Sequence, residues 1–271
     1  MSGPFAQQPS ASALASPFAV GDFDPPGLWS RLTIDIETEN GRPEEADVAM
    51  RLTWTPSWDW KDETIGKRLR EARDKKLEKL ALLETAPIGC VSLRSSSGDL
   101  MVLHSVSEEP VRKFSDAVPG HVEGFANERA MLLGLRLLTD RYVTPHETLI
   151  VGFNVKGFDL RRLRRGYVRH GLRMPPWLAS PDQPIFDLMR EFGSRFSSED
   201  KLFIGLGDVL PFFGMESHKS TLSGAELPGL FAKARTGDRG ALDTIVGYSL
   251  LDAATEDELY LRMTGQVEDR G

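Results

Sequence analysis

The stretch LTIDIET, residues 32–38, decides the fold of this chain. Its apolar run predicts a β-strand, which we place at about residues 28–36. Successive side chains of a strand point to opposite faces, so Asp35 and Glu37, two residues apart, project from the same face. We therefore expect both carboxylates to reach one metal ion.

Two further stretches each place a carboxylate at an informative position. YSLLDAATEDELY, residues 248–260, has the pattern of a helix, in which Tyr248 and Asp252 are four apart and share one side. A phenol is thus predicted to lie beside a carboxylate. GFNVKGFDL, residues 152–160, follows an apolar strand predicted at 148–153, and its Asp159 is predicted near the start of the next helix.

Composition limits the architecture and the possible chemistry. With 271 residues, 40% of them hydrophobic and 27% charged, the chain has enough apolar surface for one substantial core. We expect one domain over residues 28–265, preceded by a disordered segment at 1–27. No apolar run is long enough to cross a bilayer, and we expect a cytoplasmic protein without a membrane partner. The single cysteine, Cys90, excludes an internal disulfide framework and a thiolate metal cluster.

The formal net charge of −7 does not exclude nucleic acid, because positive groups are concentrated in one segment. That segment follows Asp159 directly and contains six arginines: Arg161, Arg162, Arg164, Arg165, Arg169 and Arg173. If it is helical, Arg161, Arg165 and Arg169 form one stripe. The stripe is either an ordinary solvated helix face or a surface for phosphates, and its closeness to Asp159 favours phosphate binding.

The remaining pattern predicts an α/β chain. A charged helix is expected over 61–83, a hairpin of strands over 88–94 and 100–106, and a helix over 122–141. The C-terminal half is predicted to be helical throughout, including PIFDLMREF at 184–192. This order is what a mixed β-sheet flanked by helices requires.

Three motifs carry a resemblance to a known family. DIET at 35–38, NVKGFD at 154–159 and YSLLD at 248–252 resemble the three motifs of the DEDD superfamily of 3′–5′ exonucleases, which have an RNase H-like fold. Tyr248 lies four residues before Asp252, as in the tyrosine branch (DEDDy). The histidine branch would have histidine at position 247, where this chain has Gly247.

Within the tyrosine branch the chain resembles stand-alone and phage-type relatives of the proofreading exonuclease domains of DNA polymerases. A charged helical insertion at about residues 57–86 is part of that resemblance. Too few residues remain for a polymerase domain. Any proofreading role would therefore need a separate replication or repair partner.

Crowded carboxylates repel one another unless a cation compensates their charge. Ligands that are all oxygen favour Mg²⁺ or Mn²⁺ over zinc. Two such ions, about 3.5–4 Å apart, activate a water and stabilise both oxygens of an in-line displacement at phosphorus. The resemblance implies that Glu37 and Asp252 hold the ion that activates water, with Asp35 bridging both ions. It also implies that Asp159 contacts the second ion chiefly through waters and that Tyr248 orients the nucleophilic water.

Further residues are expected to contact the substrate. They are the backbone groups of Ile36 and Thr38, Phe158 by stacking on a base, Lys219 on a phosphate, and Asn154, Arg161 and Arg165. Some of these residues also have ordinary structural explanations. Asn154 and Asp159 suit a turn followed by a helix cap, Tyr248 suits an amphipathic core position, and Lys219 suits a solvated surface.

Together these patterns predict a metal-dependent 3′–5′ exonuclease that releases nucleotides from a single-stranded DNA end. Two alternatives stay open. A 3′–5′ exoribonuclease would use the same catalytic groups, since the preference for one sugar depends on spacing around the terminal nucleotide. A catalytically inactive module that binds nucleic acid or recruits a partner would retain the fold without the reaction.

Overall fold

The computed structural model describes residues 27–39, 61–81, 86–107, 120–196, 204–216, 222 and 226–266. The segment predicted to be disordered, apart from Gly27, lies outside these ranges, as does part of the insertion at 57–86. Within the described residues, no helix is long and apolar enough to cross a membrane.

A six-stranded mixed sheet forms the centre of the described fold, in the order β4-β3-β2-β1-β5-β6. The strands are β1 Arg31–Thr38, β2 Ile88–Ser95, β3 Leu100–His104, β4 His121–Gly124, β5 Leu149–Gly152 and β6 Ile185–Asp187. β1, β2 and β3 are antiparallel neighbours. β4 runs parallel to β3, β5 parallel to β1, and β6 parallel to β5.

Helices flank this sheet on both faces. The described helices are α1 Asp62–Ala81, α2 Glu128–Tyr142, α3 Asp159–Arg169, α4 Pro176–Ala179, α5 Leu188–Arg195, α6 Leu206–Val209, α7 Leu227–Arg235 and α8 Arg239–Met263. A 3₁₀ turn, Leu210–Phe213, follows α6 directly. The mixed α/β sheet flanked by helices that the sequence predicts is thereby confirmed.

The alternation along β1 divides the core into two layers. Ile34 and Ile36 point into a cluster with residues of α2 and α3, such as Leu135 and Leu163. On the other face α7 and α8 pack against β2 and β3, where Cys90 belongs to a second cluster. The odd-numbered residues of β1 therefore face α8.

The hairpin prediction is confirmed. β2 and β3 pair antiparallel, and the turn between them is closed by hydrogen bonds from the Ser95 and Gly98 amides to Asp99 and Ser95 carbonyls, at 2.9 and 3.0 Å. β2 lies beside β1 in the expected position, with Asp35 opposite Ser92. The first strand itself begins at Arg31 and continues to Thr38, two residues beyond the predicted end.

Two short strands were wrongly predicted as helix. β4 occupies residues 121–124, and the helix α2 begins only at Glu128, where Asn127 accepts a hydrogen bond from the Ala130 amide at 3.0 Å. β6 occupies 185–187 of PIFDLMREF, and α5 begins after it with Asp187 as its N-cap. Both segments become extended because they add parallel edge strands to the sheet, a long-range pairing that overrides local preference.

Candidate active site

The side chains of Asp35 and Glu37 lie on the face of β1 that is covered by α8. Their neighbours Ile34 and Ile36 are buried on the opposite face, against α2 and α3. The strand is irregular between Glu37 and Thr38, where the pairing with β2 shifts. Gly89 of β2 is passed over in this pairing, so the extra residue of the bulge lies on β2, opposite the end of the acidic pair.

The helix α8 brings a third carboxylate to this face. Asp252 is almost completely buried, and one oxygen each from Asp35, Glu37 and Asp252 lie within 4.8 Å of one another. We call these three residues the acidic trio. Tyr248 lies one turn earlier on α8 and is hydrogen-bonded to Asp252. The predicted pairing of a phenol with a carboxylate is therefore present.

Asp159 lies beside the acidic trio and is fixed by the backbone of β1. It is the first residue of α3, it is buried, and its Oδ1 accepts a hydrogen bond from the Ile36 amide at 3.1 Å. Burial raises the pKa of Asp159 well above its usual range, and the charge of Asp35 raises it further. The influence of Asp35 on this pKa indicates that the fourth carboxylate belongs to the same acidic region.

The charge of the acidic trio also affects its other neighbours. Burial raises the pKa of Tyr248 well above its ordinary value, and the charges of Asp252, Glu37 and Asp35 add to the shift. Cys90 is buried and its Sγ lies 2.9 Å from the Ser249 Oγ. Burial raises the pKa of the Cys90 thiol and the three carboxylates raise it further, although the hydrogen bond to Ser249 opposes them. The site thus has a strongly negative potential.

Comparison with known proteins agrees with this geometry. The family model RNase_H_2, described as RNase_H superfamily, matches residues 96–264. The chain belongs to the RNase_H superfamily. No curated protein matches it. The family B DNA polymerase of the hyperthermophilic archaeon Pyrobaculum calidifontis has a similar structure, with a TM-score of 0.50 and 16% sequence identity. The similarity covers 88% of this chain and 25% of the polymerase chain.

Membership of the RNase_H superfamily and the polymerase-like fold confirm the RNase H-like resemblance drawn from the three motifs. Membership also indicates a nuclease whose substrate is nucleic acid, and nucleases of this superfamily use divalent metals. The chain spans about a quarter of the polymerase to which it is similar. The likeness to that polymerase therefore shows the fold alone.

The acidic trio fits a divalent metal of the kind that RNase_H superfamily nucleases use. Its donors are carboxylate oxygens from β1 and α8, and hard oxygen ligands suit Mg²⁺ or Mn²⁺. A cation there would offset the negative charge that raises the pKa values of Tyr248, Cys90 and Asp159. The residues present therefore fit the metal that the motifs predict.

The predicted substrate contacts near β1 and β5 are placed as follows. The Ile36 amide is used by Asp159, and Thr38 is a buried residue at the bulge. Asn154 lies in the turn after β5 with a left-handed backbone, φ 60°, and its carbonyl accepts hydrogen bonds from Gly157 and Phe158 amides. Asn154 therefore has the structural role in a turn that its sequence context also suggested. A Cβ at Gly157 would collide with the Asn154 Oδ1, so a larger residue there would displace the Asn154 side chain.

Phe158 and the arginines of α3 differ in how available they are. Phe158 packs partly against the core, with the Arg162 guanidinium 4.9 Å from its ring centre. Arg161 is exposed one turn before the half-buried Arg165. Arg169, the third member of the predicted stripe, is paired with Glu128 at 2.5 Å. The predicted stripe therefore presents an exposed side chain at Arg161, whereas Arg169 is held by Glu128. Lys219 lies outside the described residues.

Sequence reasoning missed two buried carboxylates at the edge of this site. Asp187 ends β6, and its charge contributes to the raised pKa of Asp159. Glu256 lies on α8, four residues after Asp252, and its Oε2 accepts a hydrogen bond from the Phe153 amide at 3.2 Å. The spacing of four between Asp252 and Glu256 was a visible signal, because it places both on one side of the helix. Asp187 had no comparable signal, since its strand was predicted to be helix.

Proposed function

We propose that this chain is a divalent-metal-dependent 3′–5′ exonuclease that releases nucleotides from the 3′ end of single-stranded DNA. The observation that carries the proposal is the acidic trio, with Tyr248 hydrogen-bonded to one of its members. Three motifs distant in sequence contribute to this region in the order that exonucleases of the tyrosine branch require. A chance meeting of carboxylates would not account for the phenol beside them.

In this proposal Asp35, Glu37 and Asp252 hold Mg²⁺ or Mn²⁺, and Asp159 contributes to a second ion. When bound, the two ions supply an activated water and stabilise the charge that develops at phosphorus. Tyr248 positions that water through its hydroxyl. Because burial and the neighbouring carboxylates raise the pKa of Tyr248, the phenol stays protonated at neutral pH, donates its one proton to Asp252 and does not act as a base.

The proposed substrate is single-stranded DNA with a free 3′ end. Arg161 and Arg165, just beyond Asp159, are suited to phosphates upstream of the scissile bond. Asn154, Phe158, Thr38 and the backbone at Ile36 are proposed to surround the terminal nucleotide. Lys219 is proposed as a further phosphate contact. DNA is chosen over RNA because the structural neighbour is named as a DNA polymerase.

We propose that a replication or repair partner acts with this nuclease in the cytoplasm. The support for such a partner is that the matched quarter of the Pyrobaculum calidifontis chain belongs to a protein named as a DNA polymerase. The cleavage reaction itself needs no partner in this proposal.

The proposal is tested with a 5′-labelled single-stranded DNA oligonucleotide in Mg²⁺ or Mn²⁺. We expect a ladder of progressively shorter products, which chelation of the metal stops. Asp35→Ala and Asp252→Ala should each abolish the ladder, while Asp243→Ala, a carboxylate removed from the same helix as Asp252, should leave it unchanged. Circular dichroism checks that each variant is folded. Continued shortening by both Asp35→Ala and Asp252→Ala would refute the site.

A parallel RNA ladder decides the sugar preference. Faster shortening of RNA than of DNA of the same sequence would assign the chain as an exoribonuclease with the same site. If neither ladder appears with either metal, and fluorescence anisotropy shows saturable binding of the oligonucleotides, the inactive binding module is the correct function. Products that carry the label at one internal length would indicate an endonuclease and contradict the proposal.

A further inference from the structure

The turn between β5 and α3, residues 153–158, carries Asp159 into the site and is held by two buried carboxylates from other elements. Glu256 of α8 accepts a hydrogen bond from the Phe153 amide at 3.2 Å. Asp187 of β6 accepts one from the Lys156 amide at 3.0 Å. Both carboxylates are at most 3% exposed. Each of them thus binds a backbone group of the turn in an environment that excludes most water.

The turn lacks the usual means of fixing the start of a helix. The N-cap of α3 is Phe158, whose side chain makes no capping hydrogen bond. Asn154 has a left-handed backbone, a conformation in which asparagine is tolerated but not favoured. Its carbonyl accepts the amides of Gly157 and Phe158 at 2.9 and 2.8 Å, which closes the turn internally. The position of the closed turn relative to the rest of the site depends on acceptors outside it.

Glu256 links two segments that carry proposed metal ligands. It follows Asp252 by four residues, one helical turn or about 6 Å along the axis, and so lies on the same side of α8. On the other side of the turn, the Asp159 Oδ1 accepts the Ile36 amide at 3.1 Å. Hydrogen bonds between carboxylates and backbone amides therefore connect α8 to the turn, and the turn to β1. These are the segments that carry Asp252, Asp159 and the pair Asp35 and Glu37.

We propose that Glu256, supported by Asp187, is a positioning residue of the metal centre. It fixes the β5–α3 turn to α8 and thereby sets the separation of Asp159 from Asp252 before any metal binds. This inference rests on the proposed metal-dependent function. It goes beyond that function because it assigns metal affinity to a carboxylate that accepts a backbone amide and lies outside the acidic trio.

The test measures Mn²⁺ binding to the purified full chain by electron paramagnetic resonance, with no nucleic acid present. Glu256→Ala removes the acceptor for the Phe153 amide, and Glu256→Gln keeps an oxygen that can accept it. The control is Asp238→Ala, because Asp238 caps the other end of α8 and accepts the Ala241 amide at 3.0 Å. The control also loses one hydrogen bond from a backbone amide to a carboxylate on the same helix, but at the end distant from the site. Thermal unfolding is recorded for every variant.

We expect Glu256→Ala to bind Mn²⁺ about 10- to 100-fold more weakly than the wild type, the usual range for losing a residue that orients metal ligands. Glu256→Gln should recover most of that affinity. Asp238→Ala should unfold at a lower temperature but bind Mn²⁺ as the wild type does. We expect the same pattern for Asp187, on the other side of the turn. Asp187→Ala should bind Mn²⁺ weakly, and Asp187→Asn should recover most of the affinity. The Asp187 pair decides the question if Glu256→Ala does not fold.

Three results would overturn the inference. Unchanged Mn²⁺ affinity in Glu256→Ala would make Glu256 a purely structural residue. Equal weakness in Glu256→Gln and Glu256→Ala would show that its charge matters and not its hydrogen bond. A matching loss in Asp238→Ala would show that any loosening of α8 has the same effect. A wild-type chain that binds no Mn²⁺ would refute the proposed function itself, which separates that failure from failure of this inference.

Discussion

Two groups of charged residues lie between β1 and α8, and they are built on opposite principles. In the first, the anchor cluster, the buried Asp257 accepts hydrogen bonds from the Arg31 Nε at 2.8 Å and the Thr33 Oγ1 at 2.9 Å. The Arg94 Nε lies 3.1 Å from its other oxygen. One carboxylate is thus matched by two guanidinium groups and a hydroxyl, all from the neighbouring strands β1 and β2.

The acidic trio brings negative charges together. Its member on α8, Asp252, lies five residues before Asp257. The field of the acidic trio raises the pKa values of Tyr248 and Cys90 in addition to the effect of their burial. Burial of a carboxylate between β1 and α8 therefore does not by itself define its role. Asp257 is compensated by the protein and fastens α8 to the sheet. The acidic trio gains its compensation from a metal in the proposed function, and the anchor cluster holds α8 in place against the repulsion.

The largest expected effect is a difference in stability between the two groups. Asp257→Ala should lower the free energy of unfolding by about 3 kcal/mol, the lower end of the range for breaking a buried pair, because it leaves two half-buried guanidinium groups and the buried Thr33 hydroxyl without their carboxylate. Asp252→Ala should leave the free energy of unfolding equal or higher, because it removes a repelling charge. Urea denaturation in the presence of a metal chelator measures both values.

Equal losses of stability in the two variants would break the comparison. In that case Asp252 would be a structural residue like Asp257, and its negative surroundings would have no bearing on a metal. A useful additional measurement is the same denaturation in Mn²⁺. The added metal should stabilise the wild type by about 2.7 kcal/mol at a hundred times its dissociation constant, and should stabilise Asp252→Ala far less.

A smaller effect is expected at the two tyrosines of α8, one from each group. Tyr248→Phe should lower the exonuclease rate about tenfold to a hundredfold, the effect of losing one hydrogen bond to a charged or reacting group. Tyr260 packs edge-on against Phe186 and lies under the Arg31 guanidinium of the anchor cluster. Because Tyr260→Phe keeps the ring that makes these contacts, it should leave the rate unchanged.

The pH dependence sharpens the same comparison. Burial is the main cause of the raised pKa of Tyr248, and it acts whether or not a metal offsets the acidic trio, so the hydroxyl stays protonated as the pH rises from 7 to 10. The rate profiles of the wild type and Tyr248→Phe should therefore run parallel over this interval. A decline in the wild type alone, near the ordinary tyrosine pKa of about 10 or below, would contradict a protonated phenol as the working form.

Local rules predicted the two pairs of residues at the site, and the resemblance to the exonuclease family implied that these pairs meet. Two residues apart on a strand, or four apart on a helix, side chains share a face whatever the rest of the chain does. These rules predicted the Asp35 and Glu37 pair and the Tyr248 and Asp252 pair. The antiparallel hairpin of β2 and β3 was equally local, since the turn between 95 and 99 closes within the sequence.

The missed features depend on partners distant in sequence. β4 and β6 have four and three residues, too few to show a period, and they become strands only by pairing with β3 and β5. The anchor cluster joins Arg31 to Asp257 across 226 residues. The sequence around Arg31 or Asp257 does not distinguish a residue with a buried partner from an ordinary exposed charge.

The smallest expected effect concerns Glu39, which lies two residues beyond Glu37 at the end of β1. Glu39 is held by Arg235, at the end of α7, through two hydrogen bonds from one guanidinium. Glu39 thus resembles Asp257 in having an arginine partner, although it is closer in sequence to the acidic trio. We therefore expect the arginine partner of Glu39, and not its closeness in sequence to the acidic trio, to decide its role. Arg235→Lys should lower the free energy of unfolding by about 0.5–1 kcal/mol, since the pair is partly exposed to solvent, and should leave the maximal rate intact.

The double variant Glu39→Arg with Arg235→Glu provides the decisive control. It restores an ion pair with the charges exchanged, so it should recover most of the stability lost in Glu39→Arg alone, as a urea-denaturation cycle of the four proteins would show. A collapse of the exonuclease rate in the folded double variant would mean that a negative charge is required at position 39 itself. The acidic region would then extend along β1 from Glu37 to position 39. Pairing with an arginine, as in Glu39 and Asp257, would no longer distinguish a structural carboxylate from one that the reaction needs.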